Sequence, residues 1–384
     1  MEQQQQPYSI LVGQPAFAQV PTYPQVEYGL PVDVLGVFAA SQSMSIRQHV
    51  KLLPKHCCVC PPCVEQENTY SIYAGLTRDN AAEFLRVDEV SDDWNRCCCK
   101  PHHPWRLEVR QYIPPPGGDI ASSDWQHLAS DVQGDFSRFS TPEKAKFLKD
   151  SYQKAPVLFS IVRDDGMRCG WCIPRFPCKV LDCCIFHDVC ADGVHVYSGG
   201  MADPEGEERG RPHDGKVTDR GQLIGTVKQP WCGGGCHPVM DLRNSDGDEP
   251  YGRVEGPYCF GGWMELCFDF KFSVSSFHGT PKSDDIAMIV KRKPSSLAMA
   301  ATDLMSDADN YTIEFNPMAS LTPAQKANIM SAQLLADYMY FDGNTDKCKA
   351  SDDGVTCYFW YCSIYGCIVP CCIHIPNNKN GGGN

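Results

Sequence analysis

From residue 47 to residue 320 the chain alternates apolar and polar side chains with period two. In WRLEVRQY, residues 105–112, Trp105, Leu107 and Val109 fall on one side and Arg106, Glu108 and Arg110 on the other. ELCFDFKFSV, residues 265–274, places Leu266, Phe268, Phe270, Phe272 and Val274 together, with Glu265, Asp269 and Lys271 opposite. Successive strand side chains point to opposite faces, so this pattern predicts half-buried antiparallel strands. TYSIYA, VLFSIVR, GQLIGTVKQ and IAMIV extend the set. Turn signals recur between them: DDG at 164–166, SDGDEP at 245–250 and GPY at 256–258. Many strands and few helices predict an all-β barrel or sandwich.

One segment breaks the period. In LTPAQKANIMSAQLLADYMYFD, residues 321–342, Thr322 is placed as an N-cap, Pro323 suits the first helical position and Gln325 closes a capping box. Ala327, Ile329, Met330, Leu334, Leu335, Met339 and Phe341 leave almost no polar face, which implies either a membrane span or burial in protein. Ten uncharged residues separate Lys326 from Asp337, whereas a span needs about 20. A charge such as Asp337 near the bilayer centre would cost roughly 3 kcal/mol or more. We therefore read a helix buried inside the β structure.

The end of the chain differs. VTCYFWYCSIYGCIVPCCI, residues 355–373, is 19 residues without a charge. That length suffices for a span, Gly366 and Pro370 are tolerated in one, and the aromatics crowd one end as an interfacial belt would. The alternative is a buried β-hairpin closing the core. Cysteines spaced by five, as Cys357, Cys362, Cys367 and Cys372 are, fall on different faces and make no single metal face. Acylation of juxtamembrane thiols such as Cys371 and Cys372 fits better.

Composition narrows the functional classes. The net charge of −13 argues against a general nucleic-acid binder and against binding anionic lipid by charge alone. The start, MEQQQQ, has neither the basic region nor the apolar core of a signal peptide. Residues 1–46 are rich in Gln, Pro and Tyr and read as a disordered or polyproline-like tail, with docking of protein partners as the alternative, no PxxP or PPxY pattern being strong. Two stretches read as insertions. Residues 114–156 hold a helix signal in which Ser140 and Glu143 fit a capping box, and residues 199–221 are charged and glycine-rich. The chain thus divides into a tail (1–46), a β domain (47–342) and a cysteine-rich apolar end (343–384).

The 23 cysteines are clustered. An intracellular chain keeps thiols reduced, so clusters suggest zinc or S-acylation. CCVCPPC and the later CCC offer Cys57, Cys60, Cys63 and Cys97 as zinc ligands, with acylation and plain surface thiols as alternatives. CGWC at 169–172 lacks the βαβ context of a thioredoxin-type site. KRKP at 291–294 reads as a solvated basic loop end. No nucleophile elbow, P-loop or dinucleotide fingerprint is found, so the chain is not read as an enzyme.

SDADNYTIEFNPM, residues 306–318, opens with acids and turns into an alternating run. Counted from Asp307, an EF-hand would want ligands where Tyr311 and Met318 stand and glycine where Thr312 stands, so it is not an EF-hand. Tyr311, Ile313 and Phe315 share one strand face, with Thr312 and Glu314 opposite. Asp307, Asp309 and Asn310, joined by Asp303 or Glu314, are the candidate calcium ligands. Such a set without a rigid loop suggests a weak site, on the order of 10⁻⁴ to 10⁻³ M. The alternative is a plain turn, since Asp and Asn are ordinary turn residues.

The order of these segments resembles the phospholipid scramblase family. NTYSIYA, RCCCKPHHPWRLEV, GQLIGTVKQPW, GPYCF, SDADNYTIEF and AQKANIMSAQLLADYMYFD are similar, in sequence order, to that family's pieces over residues 47–342. The last two are the specific ones. CKVLDCCIFHDVC, with Cys178, Cys183, Cys184 and Cys190, is similar to the segment that is palmitoylated in the family. The resemblance implies a tubby-like fold, a closed antiparallel barrel around a central apolar helix. It also implies ATP-independent, calcium-promoted movement of phospholipids between leaflets. The expected setting is the plasma membrane, with most of the chain cytoplasmic. The family tends to carry an acid where Met318 stands. That departure keeps open a second reading, a membrane-tethered adaptor that moves no lipid.

Overall fold

The computed structural model describes residues 35–39, 41–49, 67–76, 83–91, 104–111, 157–163, 192–200, 221–247, 249–277, 285–296, 300, 309–341, 347–351, 353–365 and 367–377. The chain divides into Met1–Asp33 and Val34–Asn384, and every described element belongs to the second part.

Twelve antiparallel strands close into a barrel. They are β1 (Ser43–Gln48), β2 (Thr69–Ala74), β3 (Glu83–Val90), β4 (Trp105–Gln111), β5 (Val157–Arg163), β6 (Gly193–Ser198), β7 (Leu223–Lys228), β8 (Val239–Asn244), β9 (Pro250–Glu255), β11 (Phe270–Ser276), β12 (Asp285–Lys291) and β13 (Asn310–Phe315). Each pairs with the next, and β13 returns to β1 with Met44 opposite Ile313. Closure leaves no open edge. The predicted alternation holds on β4, where Trp105, Leu107 and Val109 are fully buried while Arg106 and Arg110 pair with Glu108 on the outer side. It holds in part on β13, where Tyr311, Ile313 and Phe315 are buried and Glu314 is exposed, but Thr312 on the Glu314 face is buried too and accepts from Arg292. It fails at 265–268, where the chain turns instead of extending and Phe268 is exposed; the strand begins at Phe270.

The barrel is filled by helix α2 (Pro323–Ala336), which continues as a π turn over Asp337–Phe341. Thr322 and Gln325 form the predicted capping box. From Ala327 to Phe341 every residue is buried, so the helix is apolar all round because protein surrounds it. Some of its polar groups are answered individually, while the buried Gln333 amide has no hydrogen-bond partner among the described residues. Lys326 donates to the carbonyls of Phe38, Ala39 and Ser41, which fixes the short helix α1 (Gly36–Ala39). Asn328 donates to the carbonyls of Thr226 and Arg243. The barrel thus takes in α1 and all of β1, residues that composition alone places mostly in the 1–46 tail.

A second sheet is built from β10 (Cys259–Phe260), β14 (Cys348–Ser351), β15 (Gly354–Ile364) and β16 (Cys367–Pro376). Strands β14 and β10 pair along one edge of β15, and β16 pairs along the other. The charge-free stretch 355–373 is therefore a hairpin and not a spanning helix. Its aromatic and β-branched residues favour extension, Tyr365 turns the chain at φ 49, and Pro370 sits in the edge strand, where proline is tolerated. Nor does it close the core, since Tyr365, Val369, Ile373 and Ile375 are exposed. Among the described residues no helix is long and apolar enough to cross a membrane.

Candidate functional site

The end of α2 brings together charges that lie far apart in sequence. Lys291, at the end of β12, is 4% exposed at its side chain; its Nζ lies 2.8 Å from Asp309 and 3.3 Å from Glu265. Lys347 approaches Glu265 at 3.8 Å. The Lys291 ammonium also lies 3.8 Å from the centre of the Phe341 ring. Burial works against the Lys291 ammonium, but the carboxylates of Asp309 and Glu265 outweigh it and hold its pKa above the usual value. Burial raises the Glu265 carboxyl, with Lys291 opposing.

Asp337 lies behind this pair, fully buried, and accepts from the hydroxyls of Tyr70, at 2.7 Å, and Tyr311. Burial, then the nearby Asp309, push Asp337 up to about 7. The same Tyr311 hydroxyl lies 3.2 Å from Asp309. The π turn is bound on its other sides as well. Tyr338 donates to Glu89 at 2.7 Å and stacks on Trp105, and Tyr340 accepts from Gln229.

This geometry separates the candidate calcium ligands. Asp303 and Asp307 lie outside the described residues. Asp309 is neutralised by Lys291, and the Asn310 carbonyl accepts the backbone N–H of Arg292. Glu314 points outward near Arg292. Asp309 and Glu314 are five strand positions apart, about 16 Å, and on opposite faces, so they do not share an ion. An ion at Asp309 would have to compete with an ammonium. KRKP is solvated only in part: Lys291 is buried and Arg292 pairs with Asp269 at 3.1 Å, while Lys293 is exposed. The sequence pattern gave no sign of the Lys291 pairing, because its partners come from three separate segments.

The cysteines of CCVCPPC and CCC (Cys57, Cys60, Cys63, Cys97) and of CKVLDCCIFHDVC (Cys178, Cys183, Cys184, Cys190) lie outside the described residues, as do the helix signal at 140–154 and nearly all of 199–221. Among the described residues no group of His, Cys, Asp and Glu is arranged to hold a metal ion. Cys371 and Cys372 are both exposed on β16.

The second sheet and the turn before β11 carry most of the exposed large apolar side chains among the described residues, including Tyr258, Trp263, Phe268, Tyr365, Ile373 and Ile375. The exposed thiols Cys236, Cys267, Cys371 and Cys372 belong to the same part of the fold or its immediate contacts, Cys236 following the Gly235 carbonyl that accepts from Tyr365. β16 carries no Asp, Glu, Lys or Arg. Exposed apolar surface of this kind, with tyrosine and tryptophan, marks an interaction face. The charge cluster underlies its attachment, since Glu265 and Lys347 belong to the segments that hold the sheet and Trp263 donates to the Lys347 carbonyl.

The molecule is thus a closed β-barrel sealed by its own helix, with an apolar, thiol-bearing sheet attached. Residues 213–343, which run from before β7 to just past the π turn, match the family described as Scramblase. That match is consistent with the phospholipid scramblase family, and such a family implies association with phospholipid membranes. No curated protein and no solved structure matches the chain.

Proposed function

We propose that the protein promotes ATP-independent, bidirectional movement of phospholipids between bilayer leaflets, from the cytoplasmic side of the plasma membrane. The family match over the half of the barrel that contains α2 carries this reading. The exposed apolar face of β15 and β16 supplies the surface that meets lipid, and Cys371 and Cys372 are the acylation candidates beside it. Calcium promotion belongs to the proposal through Asp303, Asp307, Asp309 and Asn310, without Glu314. Because Asp309 already holds Lys291, the response should need calcium in the millimolar range, on the order of 10⁻³ M.

One observation favours a second reading. Among the described residues the barrel interior is packed with buried side chains around α2. A tethered adaptor that binds membranes without moving lipid accounts for that packing. The deciding experiment uses liposomes carrying the full-length protein and a fluorescent phospholipid exposed to an external quencher. Calcium-stimulated loss of inner-leaflet signal supports transport. Membrane binding with no loss of that signal selects the adaptor.

A further inference from the structure

The second sheet holds two pairs of cysteines at directly opposed positions. Cys348 on β14 faces Cys357 on β15, and these two are joined as a disulfide. Cys259 on β10 faces Cys362 on β15, and their sulfurs are 3.3 Å apart, unjoined. Both β15 cysteines share one face, because Cys357 and Cys362 pair across to Ile373 and Val369, four residues apart on β16. Ile373 and Val369 are exposed, so this face is open to small solutes. Opposed cysteines on neighbouring strands bring Cβ atoms within the range a disulfide requires, and the joined pair shows that this sheet accommodates such a bridge.

We propose that Cys259 and Cys362 are a thiol–disulfide site that fastens the C-terminal hairpin to the barrel. β10 lies between barrel strands β9 and β11 but contributes only two paired residues to the second sheet, so the ladder between hairpin and barrel is short. A bond here would close a loop between positions 103 residues apart in sequence, and long loops are where a cross-link restrains the chain most. The co-reactant is a low-molecular-weight disulfide such as oxidised glutathione. One cysteine, as thiolate, attacks it, forming a mixed disulfide and releasing one thiolate. The other cysteine loses its proton and attacks the protein-bound sulfur, closing the bridge and releasing the second thiolate. The protein loses two protons and two electrons, and the small disulfide becomes two thiols. Excess reduced glutathione reverses the steps. The inference rests on the geometry of the sheet and is independent of lipid transport.

The test equilibrates the full-length protein in glutathione buffers from fully reducing to fully oxidising, traps free thiols by alkylation and maps linked peptides by mass spectrometry. The expected result is a peptide linking Cys259 to Cys362 that rises and falls reversibly across the series, with the Cys348–Cys357 peptide as reference. Cys259→Ser and Cys362→Ser should each abolish it, and Cys371→Ser should leave it. Oxidation should slow hydrogen exchange of the β16 amides while barrel amides stay unchanged. Absence of the linked peptide at the oxidising limit overturns the proposal, as does capture of either thiol mainly by Cys371. Protection of the thiols that a chelator removes and a reductant does not would also overturn it. Unchanged β16 exchange on bridging would refute the fastening role.

Discussion

Replacing Lys291 by Met tests the charge cluster most directly. The variant keeps the apolar stem against Phe341 but removes the ammonium, leaving Asp309 and Glu265 facing each other in a buried site. Breaking a buried ion pair by deleting one partner costs roughly 3–5 kcal/mol, because the remaining charge has lost both water and partner. Lys291 is 4% exposed at its side chain, so little solvent screening reduces that figure. Each kcal/mol shifts the midpoint of a large domain by about 2–4 °C, so the melting temperature should fall on the order of 10 °C. Scanning calorimetry would read the shift, with guanidinium unfolding followed by tryptophan fluorescence, since Trp105 stacks on Tyr338 inside the barrel. The double variant Lys291→Met, Asp309→Asn removes one uncompensated charge and should recover part of the loss. A single variant within about 1 kcal/mol of the parent, or a double variant less stable than the single, would refute the reasoning.

Three further outcomes are expected. Asp337, pushed up to about 7, binds a proton in the folded state that the unfolded chain releases near 4, so its stabilising contribution is complete at low pH and lost as pH rises through about 7. Asp337→Asn should flatten that decline in a stability-against-pH series and exceed the parent at alkaline pH by a few kcal/mol; parallel curves would sink the assignment. Gly262 sits at φ 62 with the space for a Cβ only 2.7 Å from the carbonyl oxygens of Tyr358 and Phe359, so Gly262→Ala should loosen the hairpin, read as faster hydrogen exchange in β15 and β16 with barrel amides unaffected. If the exposed face of β16 meets lipid, the double variant Ile373→Lys, Ile375→Lys removes two side chains worth about 1.5–3 kcal/mol each on full burial, and liposome co-sedimentation should fall at least tenfold; equal partitioning would exclude that face.

Much of the barrel was legible because its signals are local. A period of two on 105–111 and 310–315 marks strand faces from side-chain geometry alone. The capping box at Thr322 and Gln325 uses groups three residues apart, so the start of α2 needs no tertiary context. Spacing of charges was enough to reject a span for that helix, because Lys326 and Asp337 fall too close together. The stretch 355–373 shows the limit of the same argument. Nineteen uncharged residues satisfy both a span and a hairpin, and only the availability of β14, β10 and β16 as hydrogen-bonding partners decided between them. The charge cluster and the Cys259–Cys362 contact were illegible for a related reason. Glu265, Lys291, Asp309 and Asp337 come from four separate segments, and the two cysteines are 103 residues apart. Composition and periodicity say which residues each element turns inward. Which inward charges meet, and therefore which can stay buried, is set by strand register and barrel closure, and those exist only in the folded chain.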